Sequence, residues 1–121
     1  MTRQEFEATL QALARGWAEK DYEQVASHYA DDVRYLDPTR YRFASRAELL
    51  EFFRNEEGEE STVWHNVLFD EERQLGVAEY TYQGTNRYHG TVWIEIRGNL
   101  IVRWREYQHT SDQEWEEFWT F

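Results

Sequence analysis

The chain of 121 residues is the size of one domain with a single hydrophobic core. It carries 24 acidic residues against 13 Lys and Arg, and this net charge of −11 argues against a nucleic-acid partner, since phosphate binding depends on clustered cations. Cysteine is absent, which excludes disulfides and fits a reducing compartment, and neither a secretion signal nor a membrane-spanning apolar run is visible, so we expect one cytoplasmic domain over residues 1–121.

Three helices are predicted in the first half of the chain, over Thr2–Lys20, Tyr22–Tyr29 and Arg46–Asn55. In the first helix, apolar residues recur at spacings of four, three and four and form one stripe: Phe6, Leu10, Leu13 and Trp17. Asp21 and Ser45 are suited to cap the second and third helices. A short strand is predicted between these two helices, over Val33–Asp37, and it ends at Pro38.

The second half of the chain has the alternating pattern of strands. The predicted strands are Thr62–Phe69, Leu75–Gln83, Tyr88–Arg97 and Leu100–His109, followed by a terminal helical turn over Asp112–Phe118. The connections between strands are short, which indicates antiparallel neighbours. The acidic run Glu56–Glu60 is expected to be a solvated loop. Helices followed by a strand meander predict an α+β fold, in which a strongly curved, mainly antiparallel sheet wraps the helices into a cone whose mouth is a pocket.

Several segments of the chain resemble the nuclear transport factor 2-like superfamily, and within it the polyketide-cyclase (SnoaL)-like branch. They are Ala30–Pro38 after the second helix, Glu79–Gly84, Arg87–Gly90 and the closing Ile101–Gln108. The resemblance covers essentially the whole chain and implies the cone-shaped fold, a pocket inside the concave sheet and, often, dimers through the outer sheet face. It says little about activity, because the superfamily contains isomerases, dehydratases, cyclases, epoxide hydrolases and binding proteins.

The resemblance also implies which positions of this chain correspond to catalytic residues of family enzymes, and at some of them the catalytic residue type is missing. Asp37 stands where ketosteroid isomerases hold their catalytic base. The positions of the other two isomerase groups, a Tyr on the first helix and a protonated Asp on a long strand, correspond to Leu13 and to Val92 or Trp93, so that activity is disfavoured. Epoxide hydrolases of the superfamily alternate an Arg and an Asp on one strand, and no predicted strand has an Arg-x-Asp sequence.

Asp37 is the first candidate for proton transfer. It shares a strand face with Val33 and Tyr35, and that face is expected to be inward because Arg34 occupies the other. Apolar neighbours would raise the pKa of this carboxyl and make it a general base. Alternatively, Asp37 caps the turn at Pro38 and Thr39 through its own side chain, as Asp before Pro often does.

Glu106 is the second candidate. If the face with Arg103 and Arg105 points to solvent, Glu106 is inside, between Trp104 and Gln108. The expected pocket-lining residues are Trp17, Tyr35, Phe53, Tyr80, Tyr82, Trp104 and Gln108. Two carboxylates in an aromatic cavity would suit acid–base chemistry on a small hydrophobic molecule. Two alternatives stay open: a structural pair of Glu106 with an Arg or a Tyr hydroxyl, and a strand phase shifted by one residue.

His65 is the third candidate, because it shares an alternating face with Val63, Val67 and Phe69, and an inward imidazole could act as a base. The competing interpretation is a satisfied core histidine. The four histidines lack the spacing of a metal site, so we expect no metal and no cofactor.

Trp93 is predicted to point outward from a central strand, where burial in a homodimer is a better explanation than exposure to water. Trp115 and Trp119 are expected to cover the sheet edge or the cone mouth, or to be core residues of the terminal helix. Two hypotheses follow: an enzyme that transfers protons to or from a hydrophobic, carbonyl-bearing molecule through Asp37, Glu106 and His65, and a non-catalytic ligand-binding or structural dimer.

Overall fold

The computed structural model describes residues 1–121, which form four helices and six strands. In chain order these are α1 (Arg3–Glu19), α2 (Tyr22–Ala26), β1 (Tyr29–Asp37), β2 (Tyr41–Phe43), α3 (Arg46–Arg54), β3 (Ser61–Asp70), β4 (Leu75–Gln83), β5 (Arg87–Arg97), β6 (Leu100–Thr110) and α4 (Trp115–Trp119). No helix combines the length and the apolar character needed to cross a membrane.

The strands form one curved, open sheet in the order β2-β1-β6-β5-β4-β3. All neighbouring strands are antiparallel except β1 and β6, which run parallel, with Tyr35 beside Trp104. The predicted α+β fold with helices against a mainly antiparallel sheet is therefore confirmed, and the sheet is mixed because β1 joins the meander through its last strand.

The helix α1 is fixed at its start by a capping box and along its length by an apolar stripe. Thr2 accepts from the Glu5 backbone N–H at 3.1 Å, and the Glu5 carboxylate accepts from the Thr2 N–H at 2.8 Å. The predicted stripe is fully packed in the core. Phe6 stacks on Phe69 with ring centroids 4.5 Å apart, and a Cβ on Gly76 would lie 2.2 Å from the Phe6 ring, so this contact requires glycine.

Three predicted boundaries are wrong. The helix α2 ends at Ala26 rather than at Tyr29, because Tyr29 already belongs to β1, where it pairs with Ile101 and is completely buried. The strand β1 continues through Asp31 and Asp32 because a register shift leaves both carboxylates exposed. The short strand β2 was not predicted, and α4 begins three residues later than expected.

The sheet has an inner face against the helices and an outer face toward solvent. Ala78, Val92 and Ile94 are buried on the inner face, whereas Trp93 lies on the outer face with 39% of its surface exposed. The helix α4 lies against one end of the outer face, where Trp115 and Phe118 contact the ring of His89.

Candidate functional site

An aromatic cavity of about 260 Å³ lies between α1, α3 and the inner face of the sheet. Nine aromatic side chains line it: Trp17, Tyr35, Tyr41, Phe52, Phe53, Trp64, Tyr80, Tyr82 and Trp104. The polar lining consists of Arg40, Glu56, Glu60, Thr62, Glu106 and Gln108. All seven residues expected from the sequence to line the pocket are on its wall. The sequence did not predict the other seven lining residues, which are Arg40, Tyr41, Phe52, Glu56, Glu60, Thr62 and Trp64.

Glu106 is a buried carboxyl on the wall of this cavity. The strand β6 has the predicted phase, since Trp104, Glu106 and Gln108 face inward while Arg103, Arg105 and Tyr107 are exposed. The Trp104 indole N–H donates to Glu106 Oε1 at 3.0 Å, and the Tyr80 hydroxyl lies 3.2 Å from Oε2. No Arg or Lys pairs with Glu106, so of the two structural pairs considered, the Tyr hydroxyl is the one present.

The surroundings of Glu106 favour its protonated form. Burial raises the pKa of the Glu106 carboxyl, and the negative charge of Asp37 adds to the increase. Hydrogen bonds from Tyr35, Trp104 and Tyr80 lower the pKa of the same carboxyl, but they do not cancel the effect of burial. Such a group can hold or release a proton nearer to neutral pH than an exposed glutamate can.

Asp37 is buried next to the cavity and is not part of its wall. Its Oδ1 accepts from the backbone N–H and the hydroxyl of Thr39, both at 3.0 Å, which is the turn-capping role considered from the sequence. Its Oδ2 accepts from Gln108 Nε2 at 3.2 Å and lies 3.9 Å from Arg40 Nε. Because Asp37 has the Arg40 guanidinium beside it and does not face the cavity, it is less available for proton transfer than Glu106.

Gln108 connects the two carboxyl groups. The Tyr80 hydroxyl donates to Gln108 Oε1 at 2.6 Å, while Gln108 Nε2 donates to Asp37. A Cβ on Gly90 would lie 2.7 Å from Gln108 Cβ and 2.8 Å from the Tyr80 hydroxyl oxygen, so only glycine leaves room for this contact. Asp37 and Glu106 therefore lie in one hydrogen-bonded network, although only Glu106 faces the cavity.

His65 does not point toward the cavity, so its predicted inward orientation is wrong. A β-bulge between Trp64 and Asn66 places His65 on the outer face with Val63, while Val67 and Phe69 remain inside. The imidazole of His65 stacks on Trp115 at 3.8 Å and bonds to the Thr81 hydroxyl at 2.7 Å. Burial lowers the pKa of His65, and the nearby His89 adds to the decrease.

Glu60 was predicted to lie in a solvated loop, and this is wrong. Its side chain is buried because three groups from distant elements converge on it. The hydroxyl of Tyr22 donates to Oε2, that of Tyr82 donates to Oε1 at 3.0 Å, and Lys20 Nζ lies 3.4 Å from Oε2. Apolar alternation and capping residues are local patterns and do not indicate such long-range partners. The sequence also does not show which of the four glutamates in this segment is buried.

Arg40 is the only cationic side chain on the cavity wall. Its guanidinium lies over the Tyr88 ring at 4.3 Å from the centroid. The described residues contain no group of three or more His, Asp and Glu side chains arranged to hold a metal ion.

Comparisons with known proteins identify the fold and the family. A protein of unknown function with a cystatin-like fold from Methylobium petroleophilum has a TM-score of 0.81 at 17% identity, covering 95% of this chain and 82% of its own. A proposed ketosteroid isomerase from Kribbella flavida has a TM-score of 0.77 at 21% identity, covering 93% and 83%.

A third structure, of a ketosteroid isomerase-like fold from Catenulispora acidiphila in complex with trimethylamine, has a TM-score of 0.71 at 14% identity and covers 82% and 83%. No sequence among curated proteins matches the chain. The family model of the SnoaL-like domain matches residues 10–104, most of the chain. The protein therefore belongs to the SnoaL-like family of the nuclear transport factor 2-like superfamily.

Proposed function

We propose that the chain binds a small, largely apolar molecule in the aromatic cavity and that Glu106 transfers a proton to or from it. The observation that carries the proposal is a buried carboxyl on the cavity wall that is held by an indole and a phenol and has no cationic partner. Tyr80 and Trp104 hold this carboxyl in place, but they supply no positive charge, so its ionised form is costly in the buried site and it exchanges a proton more readily than a paired carboxylate would. The cavity is slightly smaller than the roughly 300–1,000 Å³ of drug-sized sites, which favours a small ligand.

The reaction class that suits this arrangement is proton abstraction next to a carbonyl group. The Glu106 carboxylate would take the proton from the carbon and become neutral, and the electron pair of the C–H bond would pass to the carbonyl oxygen of an enolate. Burial raises the pKa of the Tyr41 hydroxyl on the same wall, so this group stays protonated and can donate to the enolate oxygen. Return of the proton to the same or a neighbouring carbon completes an exchange or an isomerisation.

The test is deuterium uptake by small cyclic ketones in D₂O, followed by proton NMR. We expect the wild-type protein to accelerate uptake and Glu106→Gln to reduce the rate by about 100-fold or more, the usual contribution of a general base. Glu51→Gln removes one exposed carboxylate from α3, outside the cavity, and should keep the wild-type rate. Equal rates for the wild type and Glu106→Gln would contradict the role of Glu106.

A second candidate function is ligand binding without chemistry. It is favoured by the full engagement of Asp37, and by the apolar side chains at the positions that the family resemblance assigns to two isomerase groups, which are Leu13 and either Val92 or Trp93. The trimethylamine complex of the Catenulispora protein is a precedent for a small organic molecule bound to this fold. Native mass spectrometry of freshly purified protein tests this candidate: a co-purified small molecule together with no deuterium uptake would favour it.

A further inference from the structure

The charged groups on the cavity wall are mostly acidic. Three carboxyl groups line it, from Glu56, Glu60 and Glu106, against the single guanidinium of Arg40. That guanidinium is already placed over the Tyr88 ring, 3.9 Å from an Asp37 oxygen. Glu60 is balanced from outside the cavity by Lys20, but Glu56 and Glu106 have no cationic partner. When Glu106 is ionised, the cavity wall therefore carries more negative than positive charge.

The apolar part of the wall is made of rings rather than aliphatic chains. Three indoles line the cavity and are mutually packed: Trp104 contacts Trp17 at 6.1 Å and Trp64 at 6.4 Å, both edge to face. Tyr35 stacks on Trp104 at 5.4 Å. Indole faces attract organic cations more strongly than other rings do, because their π electrons present a negative surface, and the attraction grows when water is excluded.

We propose that the ligand of this cavity is a small organic ammonium ion with apolar substituents, with Glu106 as its counter-charge and the three indoles around its alkyl groups. This inference rests on the proposed function, because it names the class of molecule bound at the same site. Ionised Glu106 can be the counter-charge and also the base for a neighbouring C–H bond. The net charge of −11 would additionally attract such a cation from solution.

A bound cation also changes the protonation of Glu106. Because the positive charge favours the carboxylate, affinity for the cation should increase with pH as Glu106 loses its proton, and binding should release protons below that range. The titratable and charged groups that face Glu106 or share its cavity are Tyr29, Tyr35, Asp37, Arg40, Tyr41, Glu56, Glu60, Tyr80 and Tyr82. A neutral ligand of the same shape would meet the same groups but carries no positive charge, so it serves as the control.

Isothermal titration of wild-type protein with choline and with 3,3-dimethylbutan-1-ol makes this comparison, since the two differ by a charged nitrogen in place of a carbon. We expect choline to bind at least about tenfold more tightly, with an affinity that increases with pH, while that of the alcohol stays constant. Equal affinities, or tighter binding of the alcohol, would overturn the inference and leave the proposed function standing. Binding of neither probe at millimolar concentration would contradict both.

Two matched variants locate the effect. Glu106→Gln should lower choline affinity by about tenfold and keep the affinity for the alcohol within about twofold, which also reports an intact cavity. Glu51→Gln, an equal loss of charge on the outside of α3, should leave both affinities unchanged. An equal decrease for choline in the two variants would mean that general attraction, and not the site, selects the cation, and would overturn the assignment of Glu106. If Glu106→Gln fails to fold, the wild-type comparison and its pH dependence still decide.

Discussion

At the scale of single residues, Glu106 is held by neutral groups. Its two oxygens meet the Trp104 indole and the Tyr80 phenol, and the phenol also bonds to Gln108. Neutral donors hold the carboxyl in place without supplying a positive charge. A carboxyl held in this way can still gain and lose a proton. The lack of a salt bridge therefore fits a role in chemistry or in binding a charged ligand.

Replacing Glu106 by Gln should stabilise the folded protein at neutral pH. The pKa of Glu106 is above its ordinary value of 4.5, so the folded state binds this proton more tightly than the unfolded state does. The stability from this group is complete below pH 4.5 and is lost as pH rises through the folded-state pKa. In Glu106→Gln the amide oxygen can accept from Trp104 while the amide nitrogen donates to Tyr80.

Urea unfolding from pH 4 to pH 8 measures this effect. The variant should be more stable than the wild type at pH 7, and its stability should depend less on pH. A destabilised Glu106→Gln protein at pH 7 would instead indicate that the carboxylate has a structural role.

Glu60 is a residue whose role is to join elements. Its carboxylate connects the start of β3 with the ends of α1 and β4 and the start of α2, through Lys20, Tyr82 and Tyr22. Glu60→Ala should reduce the free energy of unfolding by about 1–3 kcal/mol, because it leaves the buried Tyr22 hydroxyl and the partly buried Tyr82 hydroxyl without this acceptor. Glu59→Ala, at the exposed neighbouring position, should change it by less than about 0.5 kcal/mol. Equal effects in urea unfolding would contradict this role.

At the scale of elements, α4 covers two histidines of the outer face. Trp115 stacks on His65, and the His89 ring nitrogen Nε2 lies 2.8 Å from the Gln113 carbonyl just before the helix. The Thr81 hydroxyl lies between the two imidazoles and hydrogen-bonds to both. With the Gln113 carbonyl, these groups form a continuous chain of hydrogen bonds from His65 to the segment before α4. The terminal helix is thus attached by specific contacts at its start, while Trp119 at its end is exposed.

Trp115→Ala should raise the pKa of His65 toward its ordinary value, because the indole provides part of the burial that lowers it. An NMR titration of the imidazole carbon-bound protons measures the shift. The control is His28, whose pKa is also lowered by burial but which lies on another part of the molecule, and its titration should not change. An unchanged His65 titration in the variant would mean that α4 does not cover this histidine in solution.

At the scale of the whole molecule, the curved sheet separates two surfaces of different character. The inner face, with the helices, encloses the cavity, and the outer face carries exposed apolar side chains, among them Trp93 at 39% and Leu68 at 70% exposure. Trp93 lies between Val77 and Arg105, away from the residues under α4. We propose that this part of the outer face binds a second copy of the chain, as the family resemblance implies.

Trp93→Lys should convert a homodimer into a monomer, since a charge at the centre of a two-fold interface is placed close to its own symmetry mate. Analytical ultracentrifugation at micromolar concentration measures the mass. Gln11→Lys adds the same charge to the exposed side of α1 and should leave the dimer intact. A monomeric wild-type protein, or a Trp93→Lys protein with the wild-type mass, would contradict the dimer.

The sequence predicts most of this fold because its signals are local. Capping residues such as Thr2 and Ser45 and the period of each segment locate the helices and the long strands within a few residues. The phase of β6 was correct because the exposed Arg103 and Arg105 alternate with inward residues. The orientation of His65 was wrong because one bulge reverses the alternation and leaves no trace in composition. The burial of Glu60 depends on partners about forty or twenty positions away, which no local pattern contains.

The position of β6 between β1 and β5 affects how the protein can be made. Until residues 100–110 leave the ribosome, β1 and β2 have no strand that joins them to the meander β3–β5, and Glu106 and Gln108 have not been synthesised. During synthesis the two sheet fragments therefore have unpaired strand edges, which are prone to aggregation until β6 is made and joins them. A chain that stops between the end of β5 and Leu100 would have β1 and β2 separated from β3–β5, and its cavity would lack the wall that β6 provides.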